Sequence, residues 1–398
     1  MWSDSKSVAE MPRLFESGGD TINLAGGLPD LTVLPWEAIA SQISRLVKLG
    51  GRLAFQYSTP HVSKALIPAI ADLMAQEGAR AVAENLVPTA GSQQGLAVVG
   101  LGLGTPGETV LVQTPAYPGA IAAFRTAGLD LCAVPEDDQG MDPVGLRETV
   151  LRLRANGHTA KMLYTNPTYQ NPTGATLSAA RRMALLAVCR ELNVLVIEDN
   201  PYGLLGFDGE CATAFHGIDP DRVVYLGTFS KVFAPGLRCG WIAAPTEHAI
   251  VLRRTVEALT LSPSALAQSA LAAFHAKSGW VALIDDLRQS YRERCDLMST
   301  ALDGELDPSG PWTWDRPNGG FYIWLRHRDG VDTARFLASA TTRGVSYVPG
   351  TYFSVAGEHA HGLRLSFSYV PRNRISEGVA RLAAALSEPA EPEKGGER

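Results

Sequence analysis

The chain has 398 residues, 45% of them hydrophobic and 19% charged, a balance that suits a soluble globular enzyme and excludes a disordered or fibrous chain. This length exceeds one hydrophobic core, so two domains, or one large α/β domain with a smaller companion, are expected. A net charge of -6 supplies no basic field to gather a polyanion and counts against nucleic acid as the main partner.

In chain order, the opening MWSDSKSVAEMPRLFESGGD mixes charges with small side chains and holds no apolar core of signal-peptide length, and no later apolar run spans a bilayer. A cytoplasmic protein with no membrane segment is expected. PTAGSQQGLAVVGLGLG (88–104) reads as a turn opening a helix whose first N–H groups, with Ser92 and Gln93, suit an anion; a helix cap accounts for Ser92 as economically. The apolar runs TVLVQ (109–113), KMLYT (161–165), NVLVIED (193–199), RVVYLGT (222–228) and GWIAAP (240–245) suit strands buried on both faces, as in a parallel sheet covered by helices. LSAARRMALLAVCRELN (177–193), with Ser178 near its start, reads as an amphipathic crossover helix, the βαβ arrangement.

From about residue 287 the texture changes. A long charged helical pattern, DDLRQSYRERCDLMSTALDGEL, is followed by the aromatic GGFYIWLRHR and a last strand-like HGLRLSFSYV, which together predict a second, smaller α+β domain. The closing EPAEPEKGGER is polar, rich in proline and glycine, and reads as a frayed tail. Cys132, Cys189, Cys211, Cys239 and Cys295 are odd in number and contain no C-x-x-C pair, so reduced thiols are expected and no metal site.

Chemistry enters with Lys231 in LGTFSKVFAPGLRCGW (226–241). The chain holds 28 arginines and only 7 lysines, so a lysine within a glycine-rich, apolar stretch stands out. An amine adds to an aldehyde only when neutral, a state favoured by burial and by a nearby cation such as Arg238, seven positions on. Taken alone, a lysine in such a loop is more often structural. VIEDNPYG (196–203) ends an apolar strand in Glu198 and Asp199, at the edge where open α/β sheets hold ligands, and Tyr202 follows; alone, it reads better as an acidic loop broken by proline. YTNPTYQNPTG (164–174) makes a rigid turn in which Asn171 can present its amide to a ligand.

Together these stretches resemble the fold-type I, pyridoxal-phosphate-dependent aminotransferases of class I/II, and most of all the branch of α-aminoadipate and kynurenine aminotransferases. The resemblance runs in order through INLAGGLPD (22–30), FQYSTP (55–60), GSQQG, TPAYPG (114–119), QNPTG, EDNPYG, GTFSKVFAPGLRCGW, PNGGFYIW (317–324), VPGTYF (348–353) and LRLSFSY (363–369). It implies a large domain built on a mostly parallel seven-stranded sheet between helices plus a smaller α+β domain. The corresponding division is 1–58 as N-terminal arm and part of the small domain, 59–287 as the large domain, 288–388 as the small domain, and 389–398 as tail. By the same resemblance, Lys231 holds pyridoxal phosphate covalently and shuttles the Cα proton. Asp199 pairs with the pyridine nitrogen, Tyr202 and Asn171 bond the ring's 3-oxygen, and Tyr117 stacks on the ring face. Arg238, with Ser230, Thr228, Ser92 and Gln93, takes the phosphate, and Tyr57 reaches the phosphate site of a neighbouring subunit, which implies a homodimer. Arg364 anchors the substrate α-carboxylate, assisted by Asn171 and the backbone at Gly27.

The implied activity is amino-group exchange between an L-α-amino acid and a 2-oxo acid, with 2-oxoglutarate and glutamate as one pair. Elimination, decarboxylation or oxidation at the same cofactor is the alternative. The branch carries a side-chain-reading arginine near its N-terminus, for which Arg13 is the nearest candidate and aligns only with a gap, so the amino-acid preference stays open. Ligand-sensing modules of winged-helix regulators resemble the same branch, and the start of INLAGGLPD at residue 22 leaves no room for a DNA-binding domain before it.

Overall fold

The apolar runs fold as strands and the periodic stretches as helices in a computed structural model that describes residues 19–388 apart from residues 59 and 81. Arg13 and the tail at 389–398 lie outside the described residues. In chain order the strands are β1 (Ile22–Asn23), β2 (Leu86–Thr89), β3 (Thr109–Gln113), β4 (Asp130–Val134), β5 (Glu136–Asp137), β6 (Gly140–Met141), β7 (Ala160–Thr165), β8 (Leu195–Asp199), β9 (Val223–Thr228) and β10 (Gly240–Ala243). They continue with β11 (Trp312–Trp314), β12 (Tyr322–His327), β13 (Val345–Ser346), β14 (Val348–Pro349) and β15 (Gly362–Ser366).

Seven of these form one sheet in the order β2-β10-β9-β8-β7-β3-β4. The pairs from β9 through β8, β7 and β3 to β4 are parallel, and β10 runs antiparallel to both of its neighbours. The sheet is buried on both faces because its strands are apolar at successive positions and side chains alternate. Val110, Val112, Met162, Tyr164, Ile197, Val224 and Leu226 enter one core, beneath helices Ser92–Leu103, Pro118–Thr126 and Thr246–Thr260. Leu111, Leu163, Val196 and Val223, each next in chain to a member of the first set, enter the other, against helices Pro143–Ala155 and Ala179–Glu191.

The predicted crossover helix begins as its sequence indicated, with the Ser178 hydroxyl accepting from the Arg181 N–H. The strand expected at 240–245 ends at Ala243 and is the antiparallel member. Within this sheet two strands went unread, β2 and β4, and both are its edges: β2 contains Pro88, and β4 is only partly buried, so neither has the continuous apolar run of an interior strand.

A second sheet, β11-β12-β15-β14, is wholly antiparallel and follows the long helix Val281–Glu305, against which the last helix, Arg372–Leu386, packs. The chain's beginning belongs to this region: β1 pairs in parallel with β13, and the Ser366 N–H donates to the Leu24 carbonyl at 2.7 Å. Residues 24–28 are thereby carried along the second sheet toward the strand ends of the first. Among the described residues no helix is long and apolar enough to cross a membrane.

Candidate active site

Five strands of the large sheet converge on one edge, where Asp199 ends β8, Thr165 ends β7, Gln113 ends β3, Thr228 ends β9 and Thr89 ends β2. The crevice outside these ends is closed by residues 26–28 and by side chains of β12 and β15. The resulting cavity, about 570 Å³, brings together Lys231, Asp199, Tyr202, Asn171, Tyr117 and Arg364, with Gly27, Ser92 and Gln93 in the same wall. Nine positions singled out in the sequence, drawn from seven separated segments, thus share one surface.

Asp199 is 3% exposed. Its Oδ2 accepts from the Tyr164 hydroxyl at 3.0 Å, while Oδ1 has no partner. Burial raises its pKa to about 7, against the lowering effects of the Tyr164 hydroxyl and the Lys231 charge. An orphaned buried carboxylate oxygen at a cavity wall is a place for a cationic donor. Lys231 lies on the loop after β9 and donates from Nζ to the Gly27 carbonyl at 2.9 Å. Burial, then Arg364 and Arg238, lower its pKa to about 8, with Asp199 opposing them. The amine is therefore held near its neutral, nucleophilic form.

One end of the site is built for an anion. Helix Ser92–Leu103 opens into it, and its cap position is Gly91 at φ 88°, so Ser92 is the first helical residue and not the cap. Arg238, in left-handed backbone at φ 47°, lays its guanidinium over this turn and donates to the Ala90 carbonyl at 3.1 Å. A Cβ at Gly91 would lie 3.0 Å from Arg238 Nη2, so glycine gives both the backbone turn and the room for the fork. Thr228 and Ser230 are buried and bonded to each other through their hydroxyls at 3.0 Å. Neither they nor Arg238 line the cavity itself. Gln93 donates from Nε2 to the Gly119 carbonyl at 2.8 Å and leaves Oε1 unpartnered.

The other end is built round Arg364 on β15. Its Nη1 donates to Asn171 Oδ1 at 2.8 Å and its Nη2 to the Ala25 carbonyl at 2.6 Å, while Nε is buried and unpartnered. Asn171 is fixed in turn by its own N–H, which donates to Asn166 Oδ1 at 2.7 Å, and Asn166 donates to the Asp199 carbonyl. Tyr202 is fully enclosed, and its hydroxyl meets that of Tyr322 at 3.0 Å. Burial and the Asp199 charge push the Tyr117 phenol up to about 12, so it stays neutral.

Tyr57 is not part of this cavity; it is 70% exposed. Asn166, Tyr164 and Tyr322 were not singled out, although each lies within a stretch that was read. Tyr164 and Tyr322 were masked by their strands' continuous apolar runs and Asn166 by the turn-making density of NPTYQNP.

Comparison with known proteins places this geometry. A family model described as aminotransferase class I and II matches residues 20–382. The chain is 34% identical over 387 residues to aromatic-amino-acid aminotransferase 1 of Thermococcus litoralis, covering 96% of this chain and 92% of that one. It is 32% identical over 386 residues to the 2-aminoadipate transaminase of Thermus thermophilus, covering 96% and 94%. Among solved structures, the kynurenine aminotransferase of Pyrococcus horikoshii in complex with PMP aligns with a TM-score of 0.89 at 32% identity, covering 97% of this chain and 95% of that one.

Proposed function

The chain belongs to the class I and II aminotransferases and is a pyridoxal-phosphate-dependent transaminase, and from that premise we propose how its own residues divide the work. The observation that carries the reading is Asp199, a buried carboxylate with one oxygen unpartnered, in the same cavity wall as a lysine whose ammonium form is destabilised. These groups fit the cofactor: an orphaned acceptor for a protonated ring nitrogen, a nucleophilic amine for an aldehyde, and a helix start under an arginine for a phosphate.

Pyridoxal phosphate, when bound, draws into its ring the electron pair left on Cα as the amino acid loses its proton. Asp199 Oδ1 holds the proton on the ring nitrogen. Lys231 Nζ would hold the cofactor's aldehyde carbon and would carry the proton away from Cα, a task that suits an amine with a pKa of about 8. Tyr202 and Asn171 would hold the 3-oxygen, and Tyr117, in the same cavity wall, would cover the ring and exclude water. Ser92, Gln93, Thr228, Ser230 and Arg238 take the phosphate, joined by Tyr57 from a second copy of the chain in a homodimer. Arg364 pairs with the α-carboxylate, helped by Asn171 and the backbone at Gly27, and so orients the Cα–H bond across the ring.

We infer 2-oxoglutarate and glutamate as one substrate pair, a cytoplasmic location, and the division into arm (1–58), large domain (59–287) and small domain (288–388). The pairing of β1 with β13 supports assigning the chain's beginning partly to the small domain. The test is a panel of amino donors given singly to the holoenzyme, followed by a panel of 2-oxo acids. Each productive donor should convert one equivalent of bound cofactor to the amino form and stop until an oxo acid is added. Repeated turnover on an amino acid alone would refute the reading.

A further inference from the structure

The groups assigned above to the cofactor and to the substrate carboxylate come from different sheets, and one side chain outside those assignments touches both sets. Tyr322, on β12, is fully buried along its ring and lines the cavity. In the register of β12 against β15, Trp324 faces Arg364 and Tyr322 faces Ser366, so Tyr322 is the diagonal neighbour of Arg364 on the same sheet face. The Arg364 guanidinium carbon lies 4.3 Å from the Tyr322 ring centroid and 5.1 Å from that of Phe353. Two aromatic rings thus flank a guanidinium whose Nη1 and Nη2 are bonded to Asn171 and Ala25. A cation in such a setting gains from the ring quadrupoles and loses rotational freedom.

At the other end of the same side chain, the Tyr322 hydroxyl is 3.0 Å from that of Tyr202, and the two rings meet edge to face at 5.7 Å. The hydroxyl occupies the space where a side chain at Gly27 would begin: a Cβ there would lie 2.0 Å from it. Gly27 is also the residue whose carbonyl accepts from Lys231 Nζ. The position therefore fixes the phenol oxygen between Tyr202 and the backbone that holds the lysine.

We propose that Tyr322 is a positioning residue for both halves of the site: its ring sets the plane of Arg364, and its hydroxyl donates to the Tyr202 oxygen so that Tyr202 turns its own hydrogen into the cavity. The direction follows from what Tyr202 must do. With Tyr202 donating to Tyr322, its lone pairs would confront the cofactor's anionic 3-oxygen. With Tyr322 as donor, Tyr202 presents a polarised O–H, and donors linked in series strengthen one another. This rests on the reading of Lys231, Asp199 and Tyr202 as the cofactor site.

Two variants separate the roles. Tyr322→Phe keeps the ring and removes the hydroxyl; Tyr322→Leu removes both. The holoenzyme of each is titrated by the absorbance of the bound cofactor as a function of pH, and the half-reaction with a productive amino donor is measured for kcat and KM. For Tyr322→Phe the absorbance midpoint should rise by at least about half a pH unit, because the 3-oxygen loses support in its anionic form, while KM stays within roughly twofold. For Tyr322→Leu the same midpoint shift should be joined by a KM increase of roughly tenfold, as expected for loss of a buried cation–ring contact. A Tyr322→Phe midpoint equal to the parent's, or an unchanged KM in Tyr322→Leu, overturns the proposal. The absorbance titration needs no turnover, so a failure here is distinguishable from failure of the transaminase reading, which would show in the parent protein as repeated turnover on an amino acid alone.

Discussion

Replacing Glu77 with glutamine should make the protein more stable at alkaline pH and leave it nearly unchanged in acid. Glu77 lies just past helix Pro60–Gln76, is 1% exposed, and reaches beneath the loop that follows Asp199. Its Oε1 accepts from Asn200 Nδ2 at 2.9 Å and its Oε2 from the Tyr225 hydroxyl at 2.6 Å. Around it stand the Glu198 carboxylate on β8, the Cys211 thiol, and Arg182, whose guanidinium also faces Glu198 at 3.8 Å. Burial pushes the Glu77 carboxyl up to about 8, the Tyr225 hydroxyl lowers it, and Glu198 raises it further. The folded protein thus keeps a proton that the unfolded chain releases above its ordinary value of 4.5. Stability falls as pH rises from there to about 8 and is level beyond. At about 1.36 kcal/mol per pH unit the whole interval is worth roughly 5 kcal/mol, and water entry and relaxation leave roughly 2–5. Glutamine cannot ionise, and after rotation of the Asn200 amide its Nε2 can donate to Asn200 Oδ1, an atom without a partner in the parent. Urea unfolding of the apoprotein at several pH values is the assay. The variant should match the parent within about 1 kcal/mol near pH 5 and exceed it by roughly 2–5 kcal/mol near pH 9. A difference that stays constant across that range refutes the argument.

Reductive trapping of pyridoxal phosphate by the apoprotein should rise with pH along a curve centred near 8, the pKa to which burial, Arg364 and Arg238 bring Lys231; a curve centred at the ordinary lysine value would show the amine is not so perturbed. Asp199→Asn keeps the shape of the side chain and should retain cofactor while slowing the single-turnover half-reaction by about a hundredfold or more. A rate within a few fold of the parent would remove Asp199 from its assigned role. Arg182→Leu strands Glu198, which is fully buried and accepts from the N–H groups of Phe215 and His216, and should cost about 3–5 kcal/mol by denaturant unfolding. An unchanged midpoint would mean that those two N–H groups alone suffice.

The parts of this molecule that were readable in advance share a physical cause. Interior strands carry apolar residues at successive positions because both faces are covered, so β3, β7, β8 and β9 are visible in the letters, and the residues that break the run at their ends, Asp199 above all, become conspicuous. Edge strands lack that signal, which hid β2 and β4. The second failure is chemical. Glu77 and Tyr164 stand behind the site and Tyr322 lines it, and each sits in a setting where its type is unremarkable: a helix end and two apolar strands. Only the fold reveals that Tyr164 bonds Asp199 and that Glu77 bonds Asn200. Gly27 illustrates the same limit, since nothing in AGGLPD tells that a tyrosine hydroxyl 295 positions downstream fills the space its side chain would take.

The segment from residue 23 to 28 explains how groups from two sheets stay in register. Asn23 Oδ1 accepts from the N–H groups of Ala25 and Gly26 and folds the segment into a turn, which leaves its carbonyls pointing outward. Arg364, from the second sheet, takes the Ala25 carbonyl, and Lys231, from the first, takes that of Gly27, while the Ser368 hydroxyl takes that of Leu28. Lys231 and the Arg364 cation that lowers its proton affinity are thus held close by carbonyls two residues apart. Buried carbonyls are costly to leave unpaired, so the turn fixes both cations, and neither sheet can shift against the other without breaking one of these bonds. Burial first, and then the repulsion kept in this arrangement, hold Lys231 near neutrality. The distance between the amine and the carboxylate anchor is accordingly a property of six consecutive residues near the start of the chain as much as of the strands that carry the side chains.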